Sequence, residues 1–179
     1  MAHVVTAVAL PSPSLVERAL LPCHYFDAFS VDTPAGTFGD VDSLARASAQ
    51  LPRWVDWLMA LRNRVVRVFG LITEPAETPL DAADRAIVPG SAVGIFLVLA
   101  RSADEILMGL DDKHLDFRFA LTLQTRTDGE RAIATTTVRF NNIWGRLYFA
   151  VVKPFHKLII PTMLRSAVAS RARFCAARA

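Results

Sequence analysis

The chain has 179 residues, 53% of them hydrophobic against a usual share of about 45–50%, enough for one domain with one sizeable core. Its net charge of +3 is no nucleic-acid signature, because the basic excess sits at Arg165, Arg171, Arg173 and Arg178 with Phe174 alone among them, where cations complement the end of a helix. Cys23 and Cys175 lie far apart and outside any CxxC pair, which leaves a disulfide framework and a zinc cluster unsupported and implies a reducing cytoplasm.

Residues 4–10 are apolar, but no basic residue precedes them and Pro11-Ser12-Pro13-Ser14 stops the run, so no signal peptide is expected. Ser14 is placed to cap a short helix over 15–21, which Pro22 ends. Residues 25–31 alternate Tyr25, Asp27, Phe29 and Val31 against Phe26, Ala28 and Ser30. That period of two predicts a strand with Asp27 on its aromatic face. Thr33-Pro34-Ala35-Gly36 is a turn, and Asp42-Ser43 opens a helix running to about Gln50. Pro52 opens the next, which carries Leu58, Leu61, Val65, Val68 and Phe69 at helical spacing and ends at Gly70. Arg53, Arg62, Arg64 and Arg67 occupy much of its remaining surface. A polar, proline-bearing connection follows over 73–79.

Residues 94–100, Gly-Ile-Phe-Leu-Val-Leu-Ala, read as a central strand covered on both faces. The next strand is predicted over 104–110, with a hairpin turn at Asp111-Asp112-Lys113. Residues 114–126 then set Leu115, Phe117, Phe119, Leu121 and Leu123 on one face and His114, Asp116, Arg118, Thr122 and Gln124 on the other. Burying five such apolar side chains contributes about 1.5–3 kcal/mol each before entropy is subtracted. A slip of one residue would turn all of them outward, so the register is strongly specified. Asp128-Gly129 is a turn, and a strand rich in β-branched residues returns over 132–142.

An apolar helix is predicted over 144–172. Leu147, Val151, Phe155 and Leu158 form one row, and Val152, His156, Ile159 and Met163 an adjacent one, together a band of the kind that packs on a sheet. Pro154 and Pro161 predict a kink, or two helices meeting near Pro154. Lys153, His156 and Lys157 argue against an integral membrane segment, while an amphipathic contact with a membrane surface stays open. A kinked helix over a bent sheet makes a container whose apolar lining suits a hydrophobic ligand. No GxGxxG, GxxxxGK or GxSxG motif occurs, which removes the main supports for dinucleotide, phosphate-loop and hydrolase readings.

The order of strand, helices, antiparallel strands and long C-terminal helix resembles the helix-grip architecture of the START-like, or SRPBCC, superfamily. Tyr25-Phe26-Asp27-Ala28-Phe29, Leu61-Arg62-Asn63, Asp112-Lys113-His114-Leu115-Asp116-Phe117-Arg118, Asn142 with Gly145-Arg146-Leu147-Tyr148-Phe149, and Pro154-Phe155-His156 resemble the domain-of-unknown-function 2867 family over about residues 11–169. The resemblance implies an α+β fold, a curved antiparallel sheet wrapped on a long C-terminal helix, with residues 1–179 as a single helix-grip domain. Members of the wider superfamily bind lipids, sterols, polyketides or hormones between sheet and helix, and some catalyse cyclisation or hydration there. Fold alone transfers none of these activities.

Asp112, His114 and Asp116 would share one face if their strand began at Asp112, a spacing that could hold a divalent cation. The turn there breaks the alignment, so neither a metal nor another cofactor is expected. His114 and Asp116 could act as an acid–base pair, but the alternation points them away from the apolar face, and cross-strand pairing of Asp116 or Arg118 with Arg139 competes. Asp27, among aromatic side chains, needs a partner, for which Arg62, Arg146 and His156 are candidates. The pair would be either a polar spot in an apolar cavity or an ion pair fixing the helix. Asn141 or Asn142 is placed to cap the long helix.

The expectation is a cytoplasmic protein that binds a hydrophobic small molecule or lipid without catalysis, using Asp27, Arg62, His114, Asp116, Arg146 and His156 as its polar residues. Two alternatives stand beside it. One is an enzyme of cyclase, hydratase or isomerase type with His156 or His114 as its acid–base group. The other is a homodimeric interaction module whose apolar excess forms the interface.

Overall fold

Strands whose side chains alternate in polarity bury one face by lying edge to edge under a common cover, and the second half of this chain does so. The computed structural model describes residues 4–52, 54–55, 87–93 and 96–176. Their elements run β1 (Val5–Ala7), α1 (Leu15–Ala19), β2 (Tyr25–Thr33), α2 (Val41–Ser48), β3 (Ala92–Val93), β4 (Phe96–Arg101), β5 (Glu105–Asp111), β6 (Leu115–Arg126), β7 (Gly129–Phe140) and α3 (Ile143–Ala176). The seven strands form one open, curved antiparallel sheet in the order β1-β2-β7-β6-β5-β4-β3, and α3 is the long C-terminal helix of an α+β fold. The predicted helix beginning at Pro52, with Arg62, and the connection over 73–79 lie outside the described residues, apart from Pro52, Trp54 and Val55.

Register organises the concave face in rows. Tyr25, Val138, Phe117 and Leu110 lie side by side across β2, β7, β6 and β5. Asp27, Thr136, Phe119 and Met108 form the next row, and Phe29, Ala134, Leu121 and Ile106 the third. The core sits over the third row and beyond it. There Val41, Leu44 and Ala45 of α2 and Ile160, Met163, Leu164, Ala167 and Val168 of α3 pack on Val31, Leu121, Leu123 and Ala132. The convex face carries a smaller cluster, Val16 of α1 on Leu107 and Ala120.

Several expectations need correction. The apolar run at 4–10, for which no element was expected, supplies β1, an edge strand paired with β2. The residue that caps α2 is Asp40, whose side chain accepts the Ser43 N–H. The strand expected to be covered on both faces is β4, which lies next to the edge strand β3. Its Val98 is buried, but Leu97 and Leu99 on the other side are exposed. Of the two forms expected for the long helix, the one with two helices meeting near Pro154 is overturned, because the helix continues through Pro154 and Pro161 as one element. Its burial also differs from the reading of two adjacent rows turned to the sheet. Leu147, Val151, Phe155 and Leu158 are exposed, while Phe149, Ile160 and Met163 face inward with the partly buried Val152 and His156. A helix apolar on both sides has little amphipathic signal to say which side packs.

Candidate functional site

Asp27 is put where it is by strand alternation: as an odd-numbered residue of β2 it faces α3, two positions from Tyr25. Tyr25 Oη donates to Asp27 Oδ2 at 2.5 Å, and His156 Nε2 lies 3.2 Å from Asp27 Oδ1. The His156 and Asp27 side chains are 10% and 13% exposed, so the pair is close to enclosed. Burial opposes ionisation of Asp27. The hydrogen bond and charge of His156 and the phenol of Tyr25 outweigh it and hold the carboxyl below its ordinary range. The Thr136 hydroxyl, directly across the ladder, adds the smallest share from outside good hydrogen-bond geometry. Burial first, then the bond to Asp27 and its charge, push the Tyr25 phenol well up, so it stays a donor at neutral pH. Since the carboxylate is ionised there, the imidazole Nε2–H donates to it.

Aromatic rings surround this group. Tyr25 meets Phe149 of α3 at 4.7 Å between centroids, Phe149 meets Phe140 at 5.5 Å, and Lys153 Nζ sits 4.9 Å above the Tyr25 ring. Across the same end of the sheet, Phe96 stacks on Phe117 at 5.3 Å and Phe117 on Phe119 at 6.4 Å. Burial falls toward this end: Phe117 is only partly buried, and Leu110 beside it is 47% exposed. Exposure at this end is therefore confined to the first row, at Tyr25, Phe117 and Leu110, while Val138 and the second-row residues Thr136, Phe119 and Met108 are buried, and one carboxylate–imidazole–phenol group bounds the rows on the β2 side.

The other predicted site residues go elsewhere. Arg146 is exposed and lies over the Phe140 ring, 5.8 Å from its centroid, and not against Asp27. Asp116 is buried on the convex side of β6. It accepts from Arg139 Nε at 2.9 Å and from Asn141 Nδ2 at 3.1 Å, the cross-strand pairing weighed for it. His114 precedes β6, and its Nδ1 is 3.0 Å from Asn142 Nδ2 and 3.2 Å from Asn142 Oδ1. Asn142 caps α3 by accepting the Gly145 N–H. His114 and Asp116 thus organise the junction between the β5–β6 turn and α3, away from the Asp27 group, and Arg62 is outside the described residues.

Two buried carboxylates carried no signal in the sequence. Glu105 accepts the Ser14 hydroxyl and the Leu15 N–H at the start of α1. Glu130 accepts the backbone N–H groups of Gly36, Phe38 and Gly39. Both reach partners about ninety residues away, which no local pattern reports. Tyr25 was legible as a face-mate of Asp27, since same-side neighbours on a strand stand two residues apart. Two surface depressions lined mainly by charged and polar residues lie near the β6–β7 turn, at the other end of the hairpin from Asp27.

A family model described as Protein of unknown function (DUF2867) matches residues 20–163. The chain belongs to this family. The DUF2867 span runs from the residue after α1 into the second half of α3, and so takes in Tyr25, Asp27, Phe117 and His156. It stops short of β1, α1 and the last turns of α3. No curated protein and no solved structure matches the chain.

Proposed function

We propose that the protein is a non-catalytic, START-like binder of a hydrophobic small molecule or lipid, held between the open end of the concave sheet and the first half of α3. The observation that carries this reading is the partly exposed aromatic and apolar edge of Tyr25, Phe117 and Leu110 over the buried Val138, Phe119 and Met108, with Asp27 and His156 beside it. Small-molecule sites are built this way, mostly apolar with a few polar groups that fix orientation. The aromatic residues offer flat apolar area, and the Asp27–His156–Tyr25 group offers donors and an acceptor to a hydroxyl or carbonyl on the ligand. Native mass spectrometry of the purified chain is expected to reveal a co-purified adduct that organic extraction removes. Phe117→Asp, which puts a charge in the apolar row, is expected to lose it. A bare mass in wild type, together with no binding of an environment-sensitive fluorescent fatty acid, overturns the proposal.

A catalytic reading is favoured by one feature: the carboxylate orients an imidazole beside the apolar rows, the arrangement of a base held by a third group. On that reading a ligand identified by mass spectrometry is chemically altered on incubation with wild type and unaltered with His156→Gln.

A further inference from the structure

We propose that the first half of α3 is a docking face for an anionic lipid surface. The proposal stands apart from the ligand site in its apolar line, which lies on the opposite side of the helix; of the cations beside that line, Lys153 also sits over the Tyr25 ring and Arg146 over the Phe140 ring. Ile143, Leu147, Val151, Phe155 and Leu158 follow one another at spacings of four, four, four and three, which keeps them on one line along the helix. All five are 37–61% exposed, as is Trp144 beside them. The line covers 16 residues, about 24 Å of helix at 1.5 Å per residue.

Charge identifies the occupant. From Ile143 to Ala176 the helix contains Arg146, Lys153, Lys157, Arg165, Arg171 and Arg173 and no aspartate or glutamate. Arg146, Lys153 and Lys157 are spaced by seven and four, so they run as a basic edge along one side of the apolar line. An apolar line of Leu, Phe and Trp character edged by cations is the composition of a helix lying in the plane of a membrane interface, where anionic headgroups meet the cations. A second copy docked face to face would set like charges together with no carboxylate on either helix to answer them.

Geometry decides how the helix would lie. By length and composition Ile143–Arg173 could cross a bilayer, with a mean hydropathy of 1.2 in its most apolar window. Its inner side, however, is packed on the sheet through Phe149, Ile160, Met163 and Leu164 and held by His156. The outer line can therefore sink into the headgroup region while the domain remains folded above it.

The test is co-sedimentation of the full chain with vesicles of phosphatidylcholine, with and without phosphatidylglycerol. Binding is expected only to the anionic vesicles and to weaken as salt rises. Val151→Glu and Leu158→Glu are each expected to weaken it about tenfold, and Lys157→Glu to weaken it and flatten the salt dependence. These three residues are exposed, so unchanged thermal unfolding of the variants separates lost docking from lost folding. No binding to either vesicle overturns the proposal, as does equal binding to both. A dimer in light scattering that Val151→Glu dissociates would assign the face to a second copy and overturn it too. An adduct seen or not seen by native mass spectrometry leaves this result unaffected.

Discussion

Asp27 of β2 and His156 of α3 stand 129 residues apart in the chain and meet at 3.2 Å, a polar tie between the open half of the sheet and the helix that covers it. Replacing either leaves the other near-buried group short of its partner. Asp27→Ala is expected to lower unfolding free energy by about 1–3 kcal/mol. In urea titrations the double variant Asp27→Ala with His156→Ala should lose less than the two single losses added together. Strict additivity would mean that the two groups do not act on each other.

Acid stability follows from the same carboxyl. Asp27 is depressed in the folded protein, so the stability it contributes is fully present above its unfolded pKa of about 3.9. That contribution is lost as pH falls through the lower folded value. Thermal unfolding measured from neutral pH downward should therefore hold level and then decline steeply below about pH 4. Asp27→Asn removes the titrating group and should make that decline shallower. Asp32, held low by its bond to Arg131, and Asp40, held low against burial by the Ser43 N–H, keep part of it.

Glu130 anchors a loop from below while α3 holds it from above. Its carboxylate takes the N–H groups of Gly36, Phe38 and Gly39 at 2.9, 2.9 and 3.2 Å, and Arg171 donates to the Thr37 and Phe38 carbonyls at 3.0 and 3.2 Å. Bonds to a charged acceptor contribute about 1.5–3 kcal/mol each, and the three are coupled. Glu130→Ala is expected to cost at least about 3 kcal/mol. Hydrogen exchange should speed up first at Gly36, Phe38 and Gly39, and unchanged protection there would count against the anchor.

Gly145 belongs to the Gly-Arg-Leu-Tyr-Phe word for a steric reason. A Cβ built on it would stand 2.0 Å from the His114 carbonyl oxygen, a backbone atom that cannot step aside. Gly145→Ala therefore has to push α3 off the β5–β6 turn, at a cost of about 1–3 kcal/mol or more. In a circular dichroism melt this variant should fall well below Ala150→Gly, which changes an exposed position of the same helix. Equal melting temperatures would sink the close-contact account.

Local chemistry alone laid out most of this protein. The period-two pattern over Leu115 to Leu123 and the turn signal at Asp128-Gly129 were enough to place the β6–β7 hairpin to within one residue of its Thr127-Asp128 turn, because strand faces alternate whatever the surroundings. The same rule set Asp27 on the face that meets α3. Other matters were settled only when distant parts of the chain came together. Which side of α3 is covered depended on the sheet beneath it, since both sides are apolar enough to bury. That Asp27 meets His156 and not Arg146 depended on where the helix begins, which the His114–Gly145 contact and the Asn142 cap decide. Glu105 and Glu130 became buried acceptors only because N–H groups about ninety residues earlier were folded against them. A carboxylate's need for donors is written in its chemistry, but the donors that answer it are chosen by the fold.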